Sequence, residues 1–288
     1  SIFNKKSIVM PLGEVKISRK VKSILIIFRT NSNIEIWDQN KKRIFEEEKI
    51  KYVEKSLKSL TRSAKNCIQN LSSLELKLLI VDDNSKVENL DKIKKIVEGS
   101  SLNYEILKHD KSKYKNKIKS QKTQDTFSNL SSLLTSFNVA KEHANDLIFF
   151  VEDDYLHHEN MLIEVIKTYE RISSQLDSDI FVCPADYPFL YVNNEKTNVL
   201  IGNSRHWRTI NKTLCTFFTS KKLITKYWDN FEKNCIDRHD PFEKYLNEIY
   251  EKEICISPLK SLSIHMSNVN SSYGLSPFVD YKKIWDEN

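Results

Sequence analysis

The stretch that decides the fold is residues 147–154, LIFFVEDD, in which five apolar residues are followed directly by three acids. An apolar run of this length is typical of a strand buried on both faces of a sheet. Ligands of open α/β sheets bind beyond the carboxyl ends of the strands, so Glu152, Asp153 and Asp154 are expected at that edge. Adjacent carboxylates repel one another unless they are compensated, and such oxygen ligands suit Mg²⁺ or Mn²⁺. The stretch favours a metal–diphosphate site; the alternative is an acidic surface turn.

Apolar runs on both sides of this stretch alternate with helical patterns. Runs typical of strands occur at residues 23–28, 76–81, 104–107 and 180–183. Apolar residues spaced three or four apart, as on one face of a helix, occur at residues 50–71, 130–140 and 161–169. This alternation predicts an α/β fold in which helices flank a mostly parallel, Rossmann-like sheet.

The C-terminal part of the chain has a different pattern. After residue 186 come a possible edge strand at 198–201 and helical patterns at 223–231 and 242–249. We therefore interpret residues 1–288 as one domain. The change of pattern divides this domain into residues 20–186 and a C-terminal extension at residues 187–288.

The composition excludes several classes of protein. A hydrophobic content of 40% excludes disorder of the whole chain, and a net charge of +6 is too mild for a dedicated nucleic-acid binder. The five cysteines form no CxxC pair, which argues against a zinc ribbon and favours reduced thiols in a cytoplasmic protein. No apolar run approaches the ~20 residues that span a bilayer, so no transmembrane segment is expected.

Two further groups of polar residues lie at the ends of predicted elements. Asp82 and Asp83 follow the run LKLLIV and can accept hydrogen bonds from a base or ribose, although a turn or helix cap explains them equally well. Asp240 precedes Pro241 and a predicted helix. It is a candidate general base, and its structural alternative is the helix N-cap.

The pair LLIVDDNS (78–85) and FVEDDY (150–155) resembles inverting GT-A glycosyltransferases of the family 2 kind. In that family the first motif binds the nucleoside, and the second is the DxD-type motif that binds the metal and the diphosphate. The resemblance covers about residues 20–275. It implies that residues 20–186 form the nucleotide-sugar-binding half and residues 187–288 the acceptor-binding half. This chain departs from the family in having Glu152 at the first position of the triplet and no glycine close after His265.

The resemblance implies a role for each matching residue. Asp83 would contact the base with support from Asp82, Asp153 would face the diphosphate, and Asp154 would bind the metal. Asp240 would be the catalytic carboxylate. The implied contacts with the donor or its metal also include His265 (metal), Arg29 and Thr30 (nucleotide), and Lys122 with Lys119 (diphosphate). Each of these contacts has a structural alternative. His265 could be a structural histidine in a loop, Arg29 and Thr30 could simply end the first strand, and the two lysines could belong to a solvated face.

We therefore interpret the chain as a metal-dependent inverting glycosyltransferase that uses Mn²⁺ or Mg²⁺ and a UDP- or GDP-sugar. The acceptor hydroxyl could belong to a glycan, a lipid, a protein or modified nucleic acid. A nucleotidyltransferase is disfavoured because the segment FRTNSNI (28–34) lacks the glycines of a phosphate-binding loop. A non-catalytic nucleotide-sugar-binding module of the same fold is a third interpretation. Trp207, Tyr187 and Phe189 could stack on an acceptor or belong to the core.

Overall fold

The computed structural model describes residues 15–33, 43–120, 124–192, 196–267 and 272–288. The strands within these residues are β1 (Ser23–Thr30), β2 (Glu75–Asp82), β3 (Asn103–Lys108), β4 (Leu147–Glu152), β5 (Tyr155–His157), β6 (Phe181–Val182), β7 (Val199–Ile201), β8 (His206–Ile210), β9 (Phe217–Ser220), β10 (Cys255–Pro258) and β11 (Ser263–His265). The helices are α1 (Lys49–Asn70), α2 (Val87–Glu98), α3 (Gln124–His143), α4 (Met161–Leu176), α5 (Phe189–Val192), α6 (Lys221–Lys226), α7 (Trp228–Ile236), α8 (Lys244–Tyr250) and α9 (Tyr281–Asp286).

A central mixed sheet organises the described residues. Its strand order is β3-β2-β1-β4-β9-β6-β10-β8-β7, and β3, β2, β1 and β4 are parallel neighbours. Strand β9 lies antiparallel between β4 and β6, and β8 runs antiparallel to β10. Strands β5 and β11 form a separate antiparallel pair. The predicted α/β fold with a mostly parallel, helix-flanked sheet is confirmed, and both predicted halves of the chain contribute strands to this sheet.

The apolar runs supply both faces of the sheet because successive strand residues point to opposite sides. Ile24, Ile26 and Phe28 of β1 belong to a core cluster with α1, α2 and α4. Leu25 and Ile27 belong to a second cluster with α3, α7 and α8. Burial on both faces explains why the sequence of β1 is continuously apolar rather than alternating.

Several elements differ from the sequence-based prediction. Helix α2 was not predicted, the stretch at 180–183 supplies only a two-residue strand, and the helical pattern at 223–231 is divided into α6 and α7. The predicted edge strand is β7, the last strand of the sheet. All five cysteines are buried and free, and no helix among the described residues is long and apolar enough to cross a membrane.

Candidate active site

The carboxyl ends of three neighbouring strands meet at the centre of one sheet edge. In the strand register, Arg29 of β1 lies beside Glu152 of β4, and Thr30 of β1 lies beside Asp82 of β2. The two acidic motifs, seventy residues apart in the sequence, are therefore separated by a single strand. This is the edge at which open α/β sheets bind ligands.

Each acid of the segment Glu152, Asp153 and Asp154 has its own cationic partner. The Arg29 guanidinium lies 2.8 Å from the Glu152 carboxylate. Lys49, the first residue of α1, forms an ion pair with Asp153, and His265 Nε2 lies 3.3 Å from Asp154 Oδ2. The repulsion expected within the triplet is thus offset by three side chains from three separate parts of the chain.

Asp153 is held by the tip of β1 as well as by Lys49. Its Oδ2 accepts hydrogen bonds from the Thr30 hydroxyl at 2.8 Å and from the Asn31 N–H at 3.2 Å. The residue is 7% exposed, so the acidic surface turn considered as an alternative is wrong at this position. Thr30 is also buried and acts here as a donor to Asp153, in addition to ending the strand.

Glu152 is held more loosely than Asp153. The Glu152 carboxylate accepts a hydrogen bond from the Thr216 hydroxyl at 3.3 Å. The backbone N–H of Glu152 donates to the oxygen of that hydroxyl at 3.2 Å. Burial raises the pKa of Glu152 against the opposing charge of Arg29. Arg29 also donates to Asn129 of α3, so its guanidinium links β4 to that helix.

Asp154 and His265 form a pair in which two further residues hold the imidazole ring of His265 in place. His265 Nδ1 lies 2.8 Å from the carbonyl oxygen of Tyr273, and the imidazole stacks on the Tyr155 ring at 4.7 Å. Burial opposes both charges, but the attraction between the two groups outweighs it. This attraction raises the pKa of His265 and holds the pKa of Asp154 well below its usual range.

This pair fits two ligands of a divalent cation. A carbonyl that accepts the Nδ1–H directs Nε2 of His265 toward Asp154, which is the arrangement usual for metal-binding histidines. Mg²⁺ commonly takes only one or two carboxylates from the protein and completes its shell with phosphate oxygens and water. Among the described residues no cluster of three or more potential metal ligands is present.

Asp82 and Asp83 lie one strand away from the triplet and are both buried. Asp82 accepts a hydrogen bond from the Ser85 N–H at 3.3 Å, and burial raises its pKa despite that bond. Asp83 accepts one from the Asn31 side chain at 3.2 Å. Helix α2 begins only at Val87 with Lys86 as its N-cap, so the aspartates form a turn and do not cap the helix.

Two residues at this edge were missed by sequence reasoning. Lys49 carries no local signal, because its partner Asp153 lies far away in the sequence. His109 follows β3, and its ring nitrogens lie 2.9 Å from Ser131 Oγ and 3.0 Å from Thr135 Oγ1. Burial lowers the pKa of His109, while the negative charge of Asp83 opposes this shift. The position of His109 directly after a predicted strand was a usable signal.

The interpretation of Asp240 as a helix N-cap is wrong. Helix α8 begins at Lys244 with Glu243 at its N-cap, because residues 241–244 first form a turn closed by the Lys244 N–H and the Pro241 carbonyl at 3.1 Å. Asp240 is exposed. Glu243 is only 8% exposed, and its carboxylate lies 3.8 Å from the sulfur of Cys215. Cys215 is the residue before Thr216, which contacts Glu152. This segment therefore presents one exposed and one buried carboxylate.

The remaining predicted contacts have different outcomes. Lys122 lies outside the described residues, and Lys119 is exposed with its backbone N–H bonded to the Ile236 carbonyl. Trp207 and Tyr187 are fully buried, which confirms their alternative role in the core. The Trp207 indole N–H donates to Glu164, and the Tyr187 hydroxyl lies 2.6 Å from that of Tyr155.

Comparison with known proteins gave only structural matches. No family model and no curated protein matches the chain. The chain is similar to S. aureus TarS 1–349, with 11% identity and a TM-score of 0.47, over 84% of this chain and 59% of that one. It thus spans less than two thirds of that protein's length.

Two further matches are enzymes named for a transfer reaction. The inositol-1-phosphate CTP transferase from T. maritima has 9% identity and a TM-score of 0.45, over 93% of this chain and 96% of that one. The mannosyltransferase PcManGT from Pyrobaculum calidifontis, in complex with GDP-Man and Mn²⁺, has 13% identity and a TM-score of 0.35, over 66% and 41%. The structural matches thus include both sugar-transferring enzymes and a CTP transferase, all at TM-scores below 0.5.

Proposed function

We propose that the protein transfers a sugar, with inversion, from a nucleotide-sugar donor to an acceptor hydroxyl. The observation that carries the proposal is the Asp154–His265 pair, which lies at the same sheet edge as the buried Asp82 and Asp83. A cation site beyond β4 and a nucleoside site beyond β2, with only β1 between these strands, are what a nucleoside diphosphate sugar requires.

In this proposal Asp154 and His265 would hold Mn²⁺ or Mg²⁺. Such a cation would supply Lewis-acid stabilisation of the negative charge on the departing diphosphate. Asp153 faces the diphosphate while Thr30 and Lys49 fix its carboxylate. Arg29 holds Glu152 in the same way. Lys122 remains a predicted contact of the diphosphate.

The nucleoside is assigned to the tip of β2. Asp83 accepts a hydrogen bond from a ring N–H of the base, which uracil and guanine both offer, and Asp82 supports the turn through Ser85. The buried His109 is close enough to Asp83 and Arg29 for both charges to act on its pKa. This assignment agrees with a UDP- or GDP-sugar as donor.

Asp240 is proposed to remove the proton of the acceptor hydroxyl. Its exposed carboxylate is free to meet an acceptor that enters from solvent. Glu243 is the rival for this role, since it is buried beside Cys215 and near the loop that carries Thr216. The acceptor that supplies this hydroxyl is a glycan, a lipid, a protein or a modified nucleic acid.

The Asp154→Asn variant tests the proposal. Titration calorimetry with UDP or GDP, with and without Mn²⁺, should show a metal-dependent gain in nucleotide affinity for the wild type and none for the variant. Asp91→Asn, an exposed acid on α2, is the matched control and should behave like the wild type. An equal metal-dependent gain in Asp154→Asn would overturn the metal assignment. Release of pyrophosphate rather than a nucleoside diphosphate during turnover would indicate a nucleotidyltransferase instead.

A further inference from the structure

A basic pocket lies away from the candidate active site, between α1 and the end of α2. It has a volume of about 470 Å³ and is lined by four cationic side chains, Lys58, Arg62, Lys65 and Lys95, with only uncharged residues besides them. Lys58 lies nine residues beyond Lys49 and Lys65 sixteen, which places the pocket roughly 14–24 Å along the helix from the active-site edge at ~1.5 Å per residue. We call it the α1–α2 pocket.

The positive charge of this pocket is poorly compensated within the protein. Arg62 has one acidic neighbour, Glu287, at 3.8 Å, and its buried Nε atom has no hydrogen-bond acceptor among the described residues. In the same part of the chain, no ion pair is recorded for Lys58, Lys65 or Lys95. Arranging four cations around one cavity, with Glu287 at 3.8 Å from Arg62 as the one acidic partner among the described residues, costs electrostatic energy that an anionic ligand would recover.

A structural role accounts for only one of the four cations. The end of α2 presents carbonyl oxygens, toward which lysines are commonly attracted. Lys65 does donate to the Gly99 carbonyl at 3.1 Å. No such contact is recorded for Lys58 or Lys95, both of which are exposed.

We propose that the α1–α2 pocket binds a ligand that carries two or more phosphate groups. Four cationic heads match the charge of such a ligand, and the guanidinium of Arg62 can bind a phosphate through two parallel hydrogen bonds. The volume lies within the range of small-ligand sites. The pocket is distinct from the donor site, and the proposal stands independently of the proposed transferase activity.

Pyrophosphate binding to the full chain tests this proposal. A variant with Lys58, Arg62, Lys65 and Lys95 all changed to Gln should bind pyrophosphate about tenfold more weakly or worse than the wild type by calorimetry. The matched control changes four exposed lysines elsewhere, Lys22, Lys92, Lys222 and Lys252, to Gln and should retain binding. If the quadruple pocket variant does not fold, K58Q/K95Q alters only exposed side chains and should still weaken binding measurably.

The outcomes separate the sources of the phosphate groups. Sedimentation with phosphatidylcholine vesicles that contain phosphatidic acid, if lost in the pocket variant, would assign the phosphates to lipid headgroups. Pyrophosphate binding without vesicle binding would assign them to a soluble ligand. Equal pyrophosphate affinity in the wild type and both pocket variants, or equal loss in the control variant, would overturn the proposal.

Discussion

Asp83 is the residue whose assignment can be tested most directly by affinity. It is buried, and its carboxylate already accepts one hydrogen bond from Asn31. Asp83→Ala should weaken nucleotide binding by about 1.5–3 kcal/mol, the range for a hydrogen bond to a charged group. Titration calorimetry with UDP and GDP measures the loss, and Asp91→Ala is the exposed control. A structure with the nucleotide bound away from Asp83 would contradict the assignment.

The two carboxylates before α8 can be separated by turnover. If Asp240 is the base, Asp240→Asn should lower turnover by about 10²–10⁴-fold, because an amide cannot accept the proton. Nucleotide affinity should be unchanged, since the proposed cation ligands are Asp154, in the turn after β4, and His265 of β11. Glu243→Gln is the matched comparison.

The opposite result in these two variants would identify a different base. Full turnover in Asp240→Asn together with inactive, folded Glu243→Gln would move the base to Glu243. Asp237→Asn serves as a further control, because the Asp237 carboxylate already accepts a hydrogen bond from the Ser120 hydroxyl. Melting temperatures of all three variants would show whether any loss of turnover reflects unfolding.

At the scale of elements, Glu164 of α4 holds the turn between β7 and β8. Its buried carboxylate accepts hydrogen bonds from the Ser204 N–H and hydroxyl, the Asn203 amide and the Trp207 indole. A Cβ atom on Gly202 would lie 2.2 Å from the Trp207 Nε1 atom, so the turn and the indole approach as closely as glycine permits. One carboxylate therefore fixes an edge hairpin to a core helix.

This contact predicts a pH-dependent stability. Burial favours the protonated acid, but the hydrogen bonds from Ser204 and Asn203 outweigh it and lower the pKa of Glu164. Its stabilisation is thus present above the ordinary carboxyl pKa and is lost as the pH falls through the lowered value. Glu164→Gln should cost about 1–3 kcal/mol at neutral pH. Urea unfolding should show a smaller difference at acid pH; an equal difference at both would contradict this origin.

The sequence predicts elements well where the signal is local. The run LIFFV becomes β4 because burial on both faces requires continuous apolar residues, and the three acids fall at its end as expected. The start of α8 was misplaced because Asp240 and Pro241 match a helix N-terminus locally, whereas the chain first makes a turn there. Helix α2 was missed because its charged residues obscure a narrow apolar stripe of Ile93 and Val97.

The candidate site was predictable only in part, because only some of its residues carry a signal in the nearby sequence. Asp82, Asp83 and the triplet follow recognisable strands, so topology brings them together. Lys49 is different, since its contact with Asp153 depends on how α1 packs over the sheet and leaves no trace in the nearby sequence. Partners that meet only through tertiary packing are the part that a single sequence does not reveal.

At the scale of the whole molecule, one edge of the sheet carries the candidate site and the opposite edge carries a group of ion pairs. At the opposite edge Arg19 donates to Asp179 at 2.9 Å and also pairs with Asp146, which accepts the Lys22 N–H at 2.8 Å. These contacts join the segment before β1 to the starts of β4 and β6. They lie at the amino ends of the strands, away from the candidate site.

Arg19→Ala should therefore reduce stability without affecting the site. The loss should be about 2 kcal/mol, because two carboxylates lose charged hydrogen bonds while the partly exposed guanidinium moderates the effect. Chemical unfolding measures the loss, and calorimetry should show unchanged nucleotide affinity. Lys77→Ala, which removes an exposed pair with Glu105, is the control and should cost less than about 1 kcal/mol. A large loss of nucleotide affinity in Arg19→Ala would contradict the division between the two edges.

The place of β9 in the sheet also bears on how the chain is made. A ribosome releases the chain from its amino end at ~5–20 residues per second, so β4 and β6 emerge seconds before β9, the strand that separates them in the described sheet. Until β9 arrives, the flank of β4 opposite β1 has no partner strand, and unpaired strand edges favour association with other chains. During this interval the nascent chain thus exposes an unpaired strand edge in the middle of its sheet. A chaperone that covered this edge would prevent association with other chains.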